Sequence, residues 1–335
     1  MKILRYLLLP VVPIYFMVTW LRNKFYDLEI KKSKPYNFPV ICVGNLSVGG
    51  TGKTPMIEYL IQSLKNDYKL ASLSRGYKRK TKGYKLADAE DSAQTIGDEP
   101  FQFYNKFKND IQVAVDSNRQ NGISKLRGLK LQPEVILLDD AYQHRKVKAG
   151  FNILLTTYAH PFYNDMVLPT GDLREPRRGA KRAQCIVVTK CPDALGKEEK
   201  QQIINHINPL AYQYVFFSQI VYSKIIFSAN DSKDIESLPD FTLVTGIANA
   251  TPLVQFLKQK SLKFEHLNYG DHYDFSENDI SELSKKSCIV TTEKDFMRLK
   301  QHDVLKDKLY YLPIQVKIEH GEKFDALVKD FIKHY

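Results

Sequence analysis

The chain has 335 residues, 43% of them hydrophobic, enough for two domains with cores of their own. Its four cysteines (Cys42, Cys185, Cys191, Cys288) have neither metal-ligand nor disulfide spacing, which excludes a disulfide scaffold or a zinc module and reads as buried, reduced thiols of a cytosolic protein. A net charge of +11 and a pI near 9.2 point to an anionic partner: nucleotide, nucleic acid or acidic membrane.

Residues 7–21 carry no charge and are interrupted by Pro10 and Pro13. That run is shorter than the ~20 apolar residues of a spanning helix, and prolines break helical regularity. Lys2 and Arg5 precede it as in a signal peptide, but aromatics fill its second half and no small-residue cleavage site follows. Arg22, Lys24, Lys31, Lys32 and Lys34 flank it, with Trp20 and Tyr26 placed for an interface. The pattern predicts a helix within 1–30 lying in the cytoplasmic leaflet, held by apolar burial and by anionic lipid. The alternative is a hairpin of buried core helices.

Segment 40–55, VICVGNLSVGGTGKTP, sets a β-branched run before a glycine-rich turn that closes on Gly52, Lys53 and Thr54. Residues 56–64 then carry apolar side chains at helical spacing. Strand, glycine-rich loop and helix in that order are what a triphosphate-binding loop requires. Glycines let successive backbone N–H groups converge on an anion, and the helix N-terminus adds its partial positive charge. Ser47, Val48, Gly49, Gly50, Thr51, Gly52, Lys53 and Thr54 are therefore the predicted nucleotide site. Lys53 is expected to reach the β- and γ-phosphates, and the Thr54 hydroxyl to sit on Mg²⁺. The usual pattern has glycine where Ser47 stands; Gly49 and Gly50 supply the flexibility instead.

A strand predicted over 69–74 runs into Arg75, Gly76 and Tyr77, at the carboxyl end where doubly wound α/β sheets place ligand contacts. A polar stretch follows and ends in Gly97-Asp98-Glu99-Pro100. These adjacent carboxylates at a helix start either cap the helix, hold Mg²⁺ or deprotonate a substrate hydroxyl. A strand over 111–115 precedes Asp116, Ser117, Asn118 and Arg119, and one over 135–138 leads into Asp139 and Asp140. An apolar strand ending in aspartate is the usual second metal element of phosphate-loop enzymes. Gln143 and His144 follow within one turn. Strands over 152–155 and 186–189 enclose 168–175, LPTGDLRE, after which Arg177, Arg178, Lys181 and Arg182 can grip a second anion.

In the second half, 212–222 and 309–318 are long, aromatic and β-prone, and are expected to pair as a ribbon bracketing a smaller α/β unit, 223–308. Within it strands are predicted over 241–245, 263–267 and 289–292, a helix from 251, and a loop carrying Asp271-His272-Tyr273-Asp274. The expected architecture is α/β: a helix at 1–30, a doubly wound nucleotide-binding domain at 31–222 to which 309–335 returns, and a smaller α/β domain at 223–308.

These residues together carry a resemblance. VGNLSVGGTGKTP (43–55), SRGY (74–77), GDEP (97–100), LLDDAYQH (137–144), LPTGDLRE (168–175), TGIANATPL (245–253), GDHYDF (270–275) and TTEKD (291–295) are similar, in order and across nearly the whole chain, to the tetraacyldisaccharide 4′-kinases, the lipid A 4′-kinases of Gram-negative bacteria. Ser47 matches that family's own variant loop, whereas Ala141 stands where a glycine is usual.

The resemblance implies transfer of the ATP γ-phosphoryl to the 4′-hydroxyl of an acylated glucosamine disaccharide 1-phosphate, giving lipid IVA, at the cytoplasmic face of the inner membrane. It implies Asp139 in the metal shell with Glu99 and Asp140 as supporting acids, and Asp98 as proton acceptor oriented by His272. It implies Tyr77, Arg119, Gln143, His144, Arg174 and Glu175 lining the substrate site. The rival readings are a membrane-associated ATPase without sugar kinase activity and a GTP switch, for which Thr189-Lys190-Cys191-Pro192-Asp193 is one residue too long. A nucleic-acid enzyme rests on net charge alone, with no recognised module, so no nucleic-acid partner is expected.

Overall fold

The computed structural model describes residues 5–271 and 273–335. The N-terminal segment is a 3₁₀ helix, Tyr6–Val11, continuing directly into helix α1, Val12–Asp27. Pro13 lies in the first turn of α1, where its missing N–H has no intrahelical acceptor to lose. The prolines therefore set the change from 3₁₀ to α winding and do not end the helix. The continuous stretch Tyr6–Asp27 has the length and hydropathy of a membrane-crossing segment, so length does not exclude crossing. Neither piece buries a residue, and Leu7, Ile14, Met17 and Val18 are exposed. The buried-hairpin alternative is overturned.

Among the described residues the strands form two sheets. The larger contains β1 (Val40–Asn45), β2 (Leu70–Ser74), β3 (Lys85–Leu86), β4 (Ile111–Val115), β5 (Val135–Asp139), β6 (Phe151–Thr157), β7 (Cys185–Thr189) and β8 (Tyr214–Tyr222). The smaller contains β9 (Ile225–Phe227), β10 (Ser232–Asp234), β11 (Phe241–Thr245), β12 (Phe264–Asn268), β13 (Ile289–Thr292) and β14 (Leu309–Leu312), and β15 (Ile314–Ile318) returns to the larger sheet. Strand order in the larger sheet is β15-β8-β7-β6-β1-β5-β2-β4-β3, parallel from β8 to β4. The chain leaves β1 for one side and returns to the other as β6, so the carboxyl end of β1 is the switch point at which such sheets hold ligands.

Parallel strands covered on both faces need apolar residues at every position. Ile41 and Val43 face one core with Met56, Ile57, Leu60 and Ile61 of helix α2 (Lys53–Leu64) and with Phe103 and Phe107 of helix α3 (Asp98–Phe107). Val40 and Cys42 face the other core, with Ile123 and Leu126 of helix α4 (Arg119–Arg127). All four cysteines are buried and unbridged, and burial pushes the Cys42 thiol up to about 12.

The smaller sheet, β10-β9-β14-β13-β11-β12, packs against helix α5 (Thr251–Gln259), helix α6 (Glu277–Ser284) and helix α7 (Glu293–Leu299). The predicted strand 309–318 is in fact two. Pro313 cannot donate to a ladder; before it, β14 runs parallel to β13 in the smaller sheet, and after it β15 pairs antiparallel with β8. The C-terminal helix α8 (Gly321–Lys333) then returns Phe324, Val328 and Ile332, at helical spacing, to the core shared with α2.

Candidate active site

The glycine-rich loop spans the gap between β1 and α2. Gly49 (φ +106°) and Gly52 (φ +88°) occupy backbone conformations that a side chain would strain. Other elements hold the loop's carbonyls. Thr189 Oγ1, at the end of β7, donates to Thr51 O at 2.8 Å, and Lys190 Nζ donates to Gly50 O at 2.7 Å. Asn45 Nδ2 donates to Thr51 Oγ1 at 2.9 Å. On the other flank Ser47 bridges Leu173, Val48 N–H donates to Asp172 O, and Arg174 N–H donates to Leu46 O, each of the two bonds 2.7 Å long. Carbonyls tied away from the loop leave its N–H groups, other than those of Val48 and Thr51, to an anion.

Pairing of Val43 with Asp139 places Asp139 beside β1 just before the loop. Asp139 is buried, its Oδ1 has no hydrogen-bond partner, and burial first and Asp140 second push its pKa up to about 7. Asp140 takes φ +48° and sits between two cations, 3.7 Å from Lys53 Nζ and 3.0 Å from Arg174 Nη1. The left-handed turn thus falls on Asp140 and not on Ala141, which is why alanine is accommodated there. Among the described residues no group of three or more His, Cys, Asp or Glu converges as a metal cage.

The segment 168–175 links this centre to the N-terminal helix. Arg5 pairs with Asp172 at 2.6 Å, Tyr15 Oη donates to Arg174 O at 3.0 Å, and Arg22 donates to Gln143 O at 2.6 Å. Glu175 is almost completely buried, and its carboxylate accepts from Arg182 (2.8 and 3.0 Å), Gln143 Nε2 (3.0 Å) and Asn23 Nδ2 (2.6 Å). It orients Gln143, whose Nε2 also donates to Asn45 O at 2.8 Å. Arg119 is buried at the start of α4, donates to Asp116 O, and keeps its Nε without a partner. His144 Nε2 is likewise buried without a partner; burial and then Arg119 lower its pKa to about 4, so its ring is neutral near pH 7. Tyr77 is 60% exposed beyond the end of β2.

Asp98 and Glu99 open α3. Asp98 is the first residue of α3, whose N-cap is Gly97. It pairs with Arg298 of α7, and Glu99 lies 3.5 Å from Lys294 of the same helix. The expected partner of Asp98, His272, lies outside the described residues.

The family model for tetraacyldisaccharide-1-P 4′-kinase matches residues 4–333. The chain belongs to this family. A tetraacyldisaccharide 4′-kinase of Flavobacterium johnsoniae is 47% identical, covering 99% of this chain and 98% of its own. That of Flavobacterium psychrophilum is 49% identical with the same coverage. A crystal structure of LpxK from Aquifex aeolicus, described as an "apo" form in complex with ATP, superposes with a TM-score of 0.79 at 30% identity, covering 98% of this chain and 99% of that one.

In this kinase-family member several residues hold the site together without having stood out in the sequence. Thr189 and Lys190 were legible as a strand end and as part of an ill-fitting GTP-switch segment, Arg182 as one of a basic run, and Arg298 as the third residue after TTEKD. Each acts on a group more than five residues away, and such pairings leave no local signal.

Proposed function

We propose that the protein is an ATP-dependent tetraacyldisaccharide 4′-kinase, transferring the γ-phosphoryl of ATP to the 4′-hydroxyl of an acylated glucosamine disaccharide 1-phosphate to give lipid IVA. The observation that carries the reading is the junction at 168–175. One short segment hydrogen-bonds the glycine-rich loop, the Asp140–Lys53 centre and the exposed apolar helix. A phosphate donor site and a lipid-facing element thereby share one wall.

On this reading 47–54 form the phosphate loop, with Lys53 leaving Asp140 for the β- and γ-phosphates when ATP arrives. Mg²⁺ takes few protein ligands, usually one or two carboxylates beside phosphate oxygens and water. The buried, unpartnered Oδ1 of Asp139 and the Thr54 hydroxyl fit that donor set, with Glu99 as a supporting acid. Bound there, Mg²⁺ neutralises charge on the transferring phosphoryl. On the family resemblance, Asp98 accepts the hydroxyl proton and His272 orients it. A loose phosphoryl-transfer transition state asks chiefly for alignment of the hydroxyl, so a carboxylate already held by an arginine suffices. Arg174 and Arg119 serve substrate phosphate, Gln143, His144 and Tyr77 the sugar, and Glu175 supports Gln143.

Three parts then divide the work: 1–30 as the membrane-surface helix, 31–222 with the returning C-terminus as the nucleotide domain, and the intervening α/β unit as the lid. The exposed apolar face of α1 and its basic flank fit the anionic cytoplasmic surface of the inner membrane, with peripheral or monotopic attachment. The test is incubation with ATP, Mg²⁺ and a panel of lipid A precursors, followed by mass spectrometry. Gain of one phosphate on the disaccharide is expected; ATP turnover without an acceptor and without a phosphorylated lipid overturns the reading in favour of a membrane-associated ATPase.

A further inference from the structure

Two sequence motifs, TGIANATPL and TTEKD, have so far no part in the chemistry, yet they converge behind Asp98. Asp295 of TTEKD is wholly buried and is fixed by the N–H of Gly246 (2.8 Å) and the hydroxyl of Thr292 (2.7 Å). Arg298, one turn further along α7, lies with Nη1 3.7 Å from Asp295 Oδ1 and donates to Tyr273 O at 3.2 Å. Its Nε donates to Asp98 Oδ1 at 3.3 Å and its Nη2 to Asp98 Oδ2. The side chains of Arg298 and Asp98 are only 10% and 16% exposed. The guanidinium thus presents two donors of its rigid fork to one carboxylate while its remaining edge is held from behind.

We infer that Arg298 is a positioning residue for the phosphoryl transfer: from the small sheet, it sets the orientation of the Asp98 carboxylate on the large one. This rests on the reading of Asp98 as proton acceptor. Asp98 opens α3 directly after Gly97 (φ +96°), and the Nε and Nη2 of Arg298 reach its carboxylate from across the interface. Docking of α3 on α7 does not depend on the same pair. Lys106 Nζ bridges Glu58 of α2 (2.8 Å) and Glu293 (3.0 Å), Lys300 donates to Asn105 (2.5 Å), and Phe101 packs with Phe296 and Met297. Removing the guanidinium should leave the two sheets together and Asp98 misaimed. Misplacement of a reacting group by ~1 Å can cost on the order of 10²-fold in rate.

The test uses the full-length enzyme with detergent-dispersed acceptor. Arg298→Met is expected to lower kcat roughly 30- to 100-fold, with KM for ATP within about twofold and Tm lower by only about 4 °C, the cost of breaking one buried pair from one side. Arg298→Lys, which restores charge without the fork, should recover part of kcat. In an Asp98→Asn background, Arg298→Met should add little, because groups working as a unit are non-additive. Near-normal kcat in Arg298→Met, losses that multiply in the double variant, or kcat falling with a Tm drop well beyond that of one broken pair and without recovery by lysine each overturn the proposal. Full activity of Asp98→Asn alone overturns the prior reading of Asp98, and is distinguishable because it appears before Arg298 is touched.

Discussion

Replacing Glu175 by glutamine separates a supporting carboxylate from a substrate-binding one. The change preserves shape but removes the charge facing Arg182, which also stacks 4.5 Å from the centroid of the Tyr142 ring. The carboxylate is 1% exposed and the arginine side chain 21%, so neither is well solvated once the partner charge is lost. Breaking a buried pair from one side costs about 3–5 kcal/mol, and partial exposure of Arg182 favours the lower end. At about 2.1 cal/mol/K per residue the unfolding entropy of 335 residues is roughly 0.7 kcal/mol/K, so ~3 kcal/mol lowers Tm by about 4 °C. Scanning calorimetry of wild type and Glu175→Gln, with acceptor kinetics on both, makes the comparison. The expected result is that drop in Tm, with a loss of activity that follows from Gln143 losing its anchor. An unchanged Tm with a raised KM for the acceptor would show that Glu175 binds substrate directly and that the enclosure has been misread.

Other outcomes can be checked in parallel. Lys53→Ala and Thr54→Ala should each abolish transfer without changing the fold, because a missing phosphate clamp costs several kcal/mol in the transition state; activity above about a tenth of wild type counts against the phosphate loop. Met17→Asp with Val18→Asp, at positions each 59% exposed, should weaken flotation with anionic vesicles while Tm stays constant, whereas a falling Tm would mean these side chains are buried in the protein. His144 titrates near 4 in the fold against about 6.5 unfolded, so between these values the unfolded chain binds a proton that the folded one refuses. Its contribution therefore destabilises the fold as pH falls from about 6.5 towards 4, and melting at pH 7.5 and 5.5 should show a smaller acid loss in His144→Asn than in wild type.

Local chemistry determined much of this protein before any folding. A β-branched run, glycines at the turn, Lys53-Thr54 and a 3.6-residue apolar repeat can form only strand, loop and helix, because each rule acts over a few residues. The strands 111–115, 241–245 and 289–292 were legible for the same reason, as was the apolar character of the first thirty residues. What tertiary structure alone decided are the long-range pairings. Register against Val43 buried Asp139 and left one oxygen without a partner. Asn23 and Arg182, from opposite sides in sequence, closed over Glu175, whose motif by itself suited a ligand equally well. Pro313 sent the two halves of one β-prone run to different sheets. Asp98 found Arg298 two hundred positions away. Sequence pattern reports the conformational preference of neighbours; which charge meets which is set by strand order and helix docking, and those are properties of the whole chain.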